Sequence, residues 1–248
     1  MLRVFWALFL LVDDASGFGS EWRKAVEHEI ASLPAGGHVV ILDVGANKGD
    51  WSNDAMKLFG QRLPNAARLS MFMFEPQPWF VPPLNAIANR HAATNKHVEL
   101  VSAAAWTSAG NLTFFVMKGL NKMKRSRTAT LVRTHAAKHR NYEKLVVPAV
   151  DLAAFLLRLE SLDQSKPLIV LKLDVEGAEF KLVPHLLQSR SLCHVQFMRL
   201  EWHLASMPTS DRTAGPNSTR SSFDTRLVEA CGPRSPPPVV LHEDWNGQ

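Results

Sequence analysis

Cysteine is scarce. The 248-residue chain holds two, Cys193 and Cys231, too few for a disulfide framework or a four-thiolate metal centre, which excludes small stapled scaffolds and zinc modules. Long apolar runs are missing as well: Val4 to Val12 is nine residues, against roughly 20 needed to span a bilayer. Neither H-E-x-x-H nor a clustered Cys/His spacing occurs, so no metal site is expected. The G-x-G-x-x-G spacing that cradles a dinucleotide pyrophosphate is absent too. Internal repeats are lacking, and low complexity is confined to Pro236 to Pro238.

Apolar residues make up 46% of the chain, enough for the full core of one large α/β domain or two small ones. The formal charge of +5 first suggests a nucleic-acid partner, but it is local. Between Lys118 and Lys144 lie nine Lys or Arg against one acid, Glu143, while the remaining 19 basic and 22 acidic residues leave the rest at −3. No aromatic except Tyr142 interleaves those charges, so nucleic acid is not the expected partner. A segment that steers an anionic acceptor is the sharper reading, and a solvated loop the plainer one.

The first 19 residues read as a possible signal peptide or an N-terminal extension. The run Val4 to Val12 follows Arg3 and precedes a small-x-small site at Ala15-x-Gly17, the layout of a signal-peptide core. An amphipathic or buried segment is the alternative, so both a secretory and a cytoplasmic location stay open. Asn111-Leu112-Thr113 and Asn217-Ser218-Thr219 are glycosylation sequons, which also arise by chance.

Strand-like runs at His38 to Asp43, Leu69 to Phe74, Val98 to Ala104, Leu168 to Leu173 and Val195 to Glu201 alternate with helical patterns at 20–33, 50–60, 84–91, 152–162 and 178–189. Leu112 to Val116 and Val146 to Val150 add strand-like stretches, Ser206 to Ser222 reads as a surface loop, and Phe223 to Cys231 as a short helix before a last strand at Val239 to His242. This alternation predicts a doubly wound, mostly parallel, Rossmann-like sheet in one domain over residues 20–248.

Two motifs carry chemistry. In Asp43-Val44-Gly45-Ala46-Asn47-Lys48-Gly49 the glycines permit a tight strand-to-helix turn and close approach of a ligand. A carboxylate then follows at Glu75, 32 residues beyond Asp43, in Phe74-Glu75-Pro76, where doubly wound folds hold a ribose. The second motif, Leu171-Lys172-Leu173-Asp174-Val175-Glu176-Gly177-Ala178-Glu179, puts three carboxylates and a lysine at one strand end. Helix capping is its alternative reading. Burial of Lys172 demands a partner, with Asp174 or Glu176 at hand.

In this order the motifs resemble those of the FkbM-type S-adenosylmethionine-dependent methyltransferases, over about residues 38 to 203, with weaker support from Ser102-Ala103-Ala104-Ala105-Trp106 and Leu200-Glu201-Trp202-His203. The resemblance implies methyl transfer from S-adenosylmethionine to a hydroxyl of a small molecule or glycan. It assigns Asp43, Gly45, Ala46, Asn47 and Gly49 to the methionine part of the cofactor, Glu75 to the ribose, and Ser102 and Ala103 to the adenine. Asp174 and Glu176 would lie near the reacting atoms and His203 at the neighbouring strand end. A hydroxyl acceptor needs a general base, for which His203 and the Asp174/Glu176 pair are the candidates. A catalytically silent cofactor-binding protein and a nicotinamide-dependent oxidoreductase are the competing readings.

Overall fold

Strand β1 (His38–Val44) is buried along all of its length but His38, because both faces of its sheet are covered by helices. Val40, Leu42 and Val44 join one apolar cluster, with Leu156, Leu182 and Leu186, while Val39 and Ile41 join a second with Val26, Met56 and Phe59. A computed structural model describes residues 20–92, 96–117, 142–161, 166–204, 215–233 and 236–244.

After α1 (Ser20–Ala31) and β1 come α2 (Asp50–Arg62), β2 (Arg68–Phe74), α3 (Val81–Ala92) and β3 (Lys96–Val101). Next follow β4 (Ala104–Trp106), β5 (Gly110–Met117), β6 (Tyr142–Asp151), α4 (Leu152–Ser161), β7 (Leu168–Leu173) and α5 (Glu179–Gln188). A 3-10 turn (Ser191–His194), β8 (Phe197–Trp202), α6 (Gly215–Cys231) and β9 (Val239–Asp244) complete the order. The main sheet has six strands in the order β3-β2-β1-β7-β8-β9, each pairing parallel. This is the expected doubly wound α/β fold, and its order reverses beside β1, at the place where such folds bind ligands.

Two local expectations change, and one covalent link is added. Val98 to Ala104 is not one strand: Ala103 donates its N–H to Val101 O, the chain turns, and β4 leaves for a separate three-stranded sheet ordered β4-β6-β5. The supposed loop of residues 206–222 is helical from Gly215 on. Pro216 sits in the first turn, where its missing N–H costs nothing, and Phe223 and Leu227 anchor the helix in the core. Finally, the two cysteines pair: Cys193 and Cys231 form a disulfide with Cα atoms 5.2 Å apart, joining the 3-10 turn to the end of α6. The basic stretch between residues 118 and 141, the apolar run of residues 4–12 and the loop of residues 205–214 lie outside the described residues.

No helix among the described residues is long and apolar enough to cross a membrane.

Candidate active site

The carboxyl ends of β1, β2 and β7 border an open cavity, lined also by Ala104, Ala105 and Phe114 of the smaller sheet. At the end of β1 the chain turns through positive φ at Gly45, Asn47 and Gly49. Gly45 has to be glycine: a Cβ there would lie 1.7 Å from Asp174 O. That closeness is set by the ladder, since Asp174 donates its N–H to Val44 O at 3.0 Å. On the other side Gly45 and Ala46 both donate N–H to Phe74 O, each at 3.0 Å. The three strand ends are therefore tied by backbone hydrogen bonds.

Glu75 follows β2 and is buried. Its carboxylate accepts the N–H of Asn47 at 2.8 Å and of Gln77 at 2.9 Å. Burial outweighs these bonds and pushes the carboxyl up to about 7. Next to it, Gln77 lines the cavity with a buried Oε1 that has no hydrogen-bond partner. An unpaired buried acceptor is costly unless a donor arrives, so this corner suits a ligand bearing hydroxyl or amino groups.

The β1/β7 register sets Asp43 opposite Lys172. Lys172 Nζ lies 3.1 Å from Asp43 Oδ1 and 3.1 Å from Asp174 Oδ2, and donates to Gly45 O at 3.2 Å. Burial works against the ammonium, but Asp174 and Asp43 overcome it and hold its pKa above the ordinary lysine value. Asp43 also accepts a hydrogen bond from the Ser52 hydroxyl. Its carboxylate is fully buried beneath the turn.

At the end of β8, His203 is buried, only 3% exposed. Glu179, the first residue of α5 and fully buried, accepts both the His203 backbone N–H (2.6 Å) and Nδ1 (3.2 Å) through Oε1, and the Gly177 N–H (2.9 Å) through Oε2. The other ring nitrogen, Nε2, faces Glu176 at 3.5 Å, Asp174 at 3.8 Å and Glu201 at 3.9 Å. Burial opposes the imidazolium, but the Glu179 hydrogen bond and the surrounding carboxylates raise its pKa to about 9. Glu176 moves the other way from a carboxylate's habit. Burial lifts it to about 7, opposed by the His203 charge and reinforced by Asp174. Burial likewise raises Glu201, helped by Asp174. Glu176 sits at φ +54°, a conformation that costs a non-glycine residue roughly 1–3 kcal/mol and concentrates at functional sites.

The family model for the methyltransferase FkbM domain matches residues 43–213, more than half of the chain and every strand end just described. The chain belongs to the FkbM methyltransferase family. Among solved structures it is similar to methyltransferase FkbM from Methylobacillus flagellatus KT, with 11% identity and a TM-score of 0.36 over 72% of this chain and 42% of that one. The chain thus spans less than half the length of that relative. None of the curated proteins matches it.

In this member of the FkbM family the expected site residues fall into two groups. Gly45, Asn47, Glu75, Asp174 and Glu176 line the cavity. Asp43, Ala46, Gly49 and His203 stand behind them: Asp43 clamps Lys172, Ala46 braces the turn, and Gly49 precedes α2 with Ile87 and Leu84 filling the space a Cβ would need. Ser102 is exposed and Ala103 buried, and the wall at that position is made by Ala104 and Ala105 instead. Lys172 meets Asp43 and Asp174, whereas Asp43 was not among its foreseen partners. Gln77, Phe114 and the bracing role of Glu179 were not foreseen either. Glu179 had a signal, being the third carboxylate of its motif. Phe114 had none, because strand alternation does not tell which face of β5 meets the cavity.

Proposed function

We propose that this FkbM methyltransferase uses S-adenosylmethionine to methylate a hydroxyl of a small molecule or glycan, with Glu176 as the general base. One observation carries the reading: Glu75, a ribose-type acceptor, and Glu176, a carboxyl poised near neutral pH, open into the same cavity. The residues present fit the donor. Glu75 and the unpartnered Gln77 Oε1 accept from hydroxyl and amino groups, Phe114, Ala104 and Ala105 offer an apolar wall to the base, and the carboxylates of Asp174 and Glu176 favour a cation. Bound there, S-adenosylmethionine supplies an electrophilic methyl group. Glu176 takes the proton of the attacking hydroxyl, a step for which a pKa near the working pH is best. His203 is a positioning residue, protonated at neutral pH and fixed by Glu179, that keeps Glu176 partly ionised. A pyrophosphate-bearing nicotinamide dinucleotide is disfavoured by the same carboxylates and by the missing glycine spacing.

Calorimetric titration with S-adenosylmethionine and, separately, a nicotinamide dinucleotide tests the donor. Heat with the second ligand alone sinks the reading, and donor binding without methyl transfer across hydroxyl-bearing acceptors points to a silent binder. In Glu75→Gln, affinity for S-adenosylmethionine falls about 10- to 100-fold, the worth of a charge-assisted hydrogen bond. Wild-type affinity tightens as pH rises through about 7, where Glu75 ionises, and the variant loses that dependence. The ligand-free protein shows the opposite trend in stability. Its Glu75 keeps a proton that the unfolded chain releases near 4.5, so this contribution is full below 4.5 and lost as pH rises towards about 7.

Donor atoms of Asp174, Glu176 and His203 lie within 4.8 Å of one another, a spacing that suits a metal ion. Two cations already serve these oxygens, Lys172 on Asp174 and the imidazolium of His203 on Glu176. Methyl transfer therefore proceeds without a divalent ion, and turnover in excess chelator equals turnover without it. Loss on chelation and recovery with a divalent cation would return these residues to a metal role.

A further inference from the structure

Neither cysteine remains free: Cys193 and Cys231 are joined, and such a bond persists in an oxidising compartment rather than a reducing cytosol. The amino-terminal sequence points the same way, with Arg3, the apolar run Val4 to Val12 and the small-x-small site at Ala15-x-Gly17. In that setting the sequon Asn111-Leu112-Thr113 gains a meaning it lacks as a bare triplet. It lies on β5, which pairs with β6 on one side and is the outer strand of the smaller sheet among the described residues.

Asn111 and Thr113 are both exposed and, two residues apart on a strand, share one face. Phe114 belongs to the opposite face and lines the cavity. The residue across the ladder from Asn111 is Pro148, which has no N–H to offer. A bulky group on the Asn111 amide therefore displaces neither a strand hydrogen bond nor a cavity wall.

We propose that the chain matures in an oxidising, glycosylating lumen and carries an N-linked glycan on Asn111. In that modification the Asn111 carboxamide nitrogen bonds to the anomeric carbon of a lipid-pyrophosphate-linked oligosaccharide. The bond from that carbon to the pyrophosphate oxygen breaks, lipid pyrophosphate leaves, and the amide gives up one proton. The Thr113 hydroxyl completes the recognised triplet.

The test is expression of the whole chain, with its own amino terminus, in cultured eukaryotic cells, followed by peptide mapping after glycosidase release in heavy-oxygen water. Luminal or secreted protein whose Asn111 is converted to labelled aspartate supports the proposal. Asn111→Gln and Thr113→Ala should each lose one glycan mass, Thr113→Ser should keep it, and Asn217→Gln should leave the Asn111 signal unchanged. Mapping the unaltered chain decides the matter even where a variant fails to fold. Protein in the cytosol with both thiols open to maleimide, luminal protein with unmodified Asn111, or a glycan on Asn217 alone overturns it.

Discussion

Glu176→Gln lowers kcat at saturating S-adenosylmethionine by about 10²- to 10⁴-fold, the range in which a positioned base contributes, with donor affinity little changed. The separation follows from place. Glu75 lines the cavity at the end of β2, where the donor is proposed to bind, and Glu176 stands at the end of β7, beside Asp174 and the His203 imidazolium. Saturating donor holds Glu75 ionised, so the pH dependence of kcat reports the base alone: kcat rises with pH through about 7 and that limb disappears in the variant. Glu176→Asp, one methylene shorter, keeps the limb at reduced kcat. A limb near 9 that survives Glu176→Gln would pass the role to His203, whose pKa lies there.

Cys193→Ser with Cys231→Ser costs about 4 kcal/mol of unfolding free energy by the loop-closure relation, for cysteines 38 residues apart. For a domain of this size that moves Tm by roughly 8–16 °C. The closed loop contains β8, with Glu201 and Trp202, and α6. Removing the bridge frees in the unfolded chain the segment that must find its way back beside β7. Reductant should lower the wild-type transition to that of the double variant, which reductant leaves unmoved. A loss below about 1 kcal/mol would mean that packing of Phe223 and Leu227 holds α6 without the bond.

The fold was legible where periodicity and burial coincide. His38 to Val44 and Leu168 to Leu173 are so apolar that only a central parallel strand accommodates them, and the alternation with helices fixes the rest of the main sheet. Legibility fails where the decisive force is tertiary. Ser, Thr, Pro and Gly across residues 206–222 read as a loop, yet from Gly215 the chain is helical because Phe223 and Leu227 dock in the core. Motif position assigns Ser102 and Ala103 to a cofactor wall, but one residue of turning at Ala103 makes Ala104 and Ala105 the residues that line the cavity. Within the site, carboxylates were visible as residue types but not as a circuit. Nothing in the spacing says that Asp43 turns inward to Lys172, or that Glu179 rather than Glu176 meets Nδ1 of His203. Those choices depend on strand register and on the direction of α5, which become fixed only when the chain is folded.

The contact of Gly45 with Asp174 has a consequence for how such an enzyme diversifies. The turn after β1 and the turn after β7 share a backbone seam with no room for a side chain, so neither shifts without the other. On the proposed function, donor and base sides then keep a fixed separation, and part of the entropy of bringing the reactants together is met in folding rather than at each turnover. Such a seam divides evolutionary labour. Position 45 is held as glycine whatever side chain stands at 174, because the atom it meets is a backbone carbonyl, so variation in the acceptor is left to positions away from the seam.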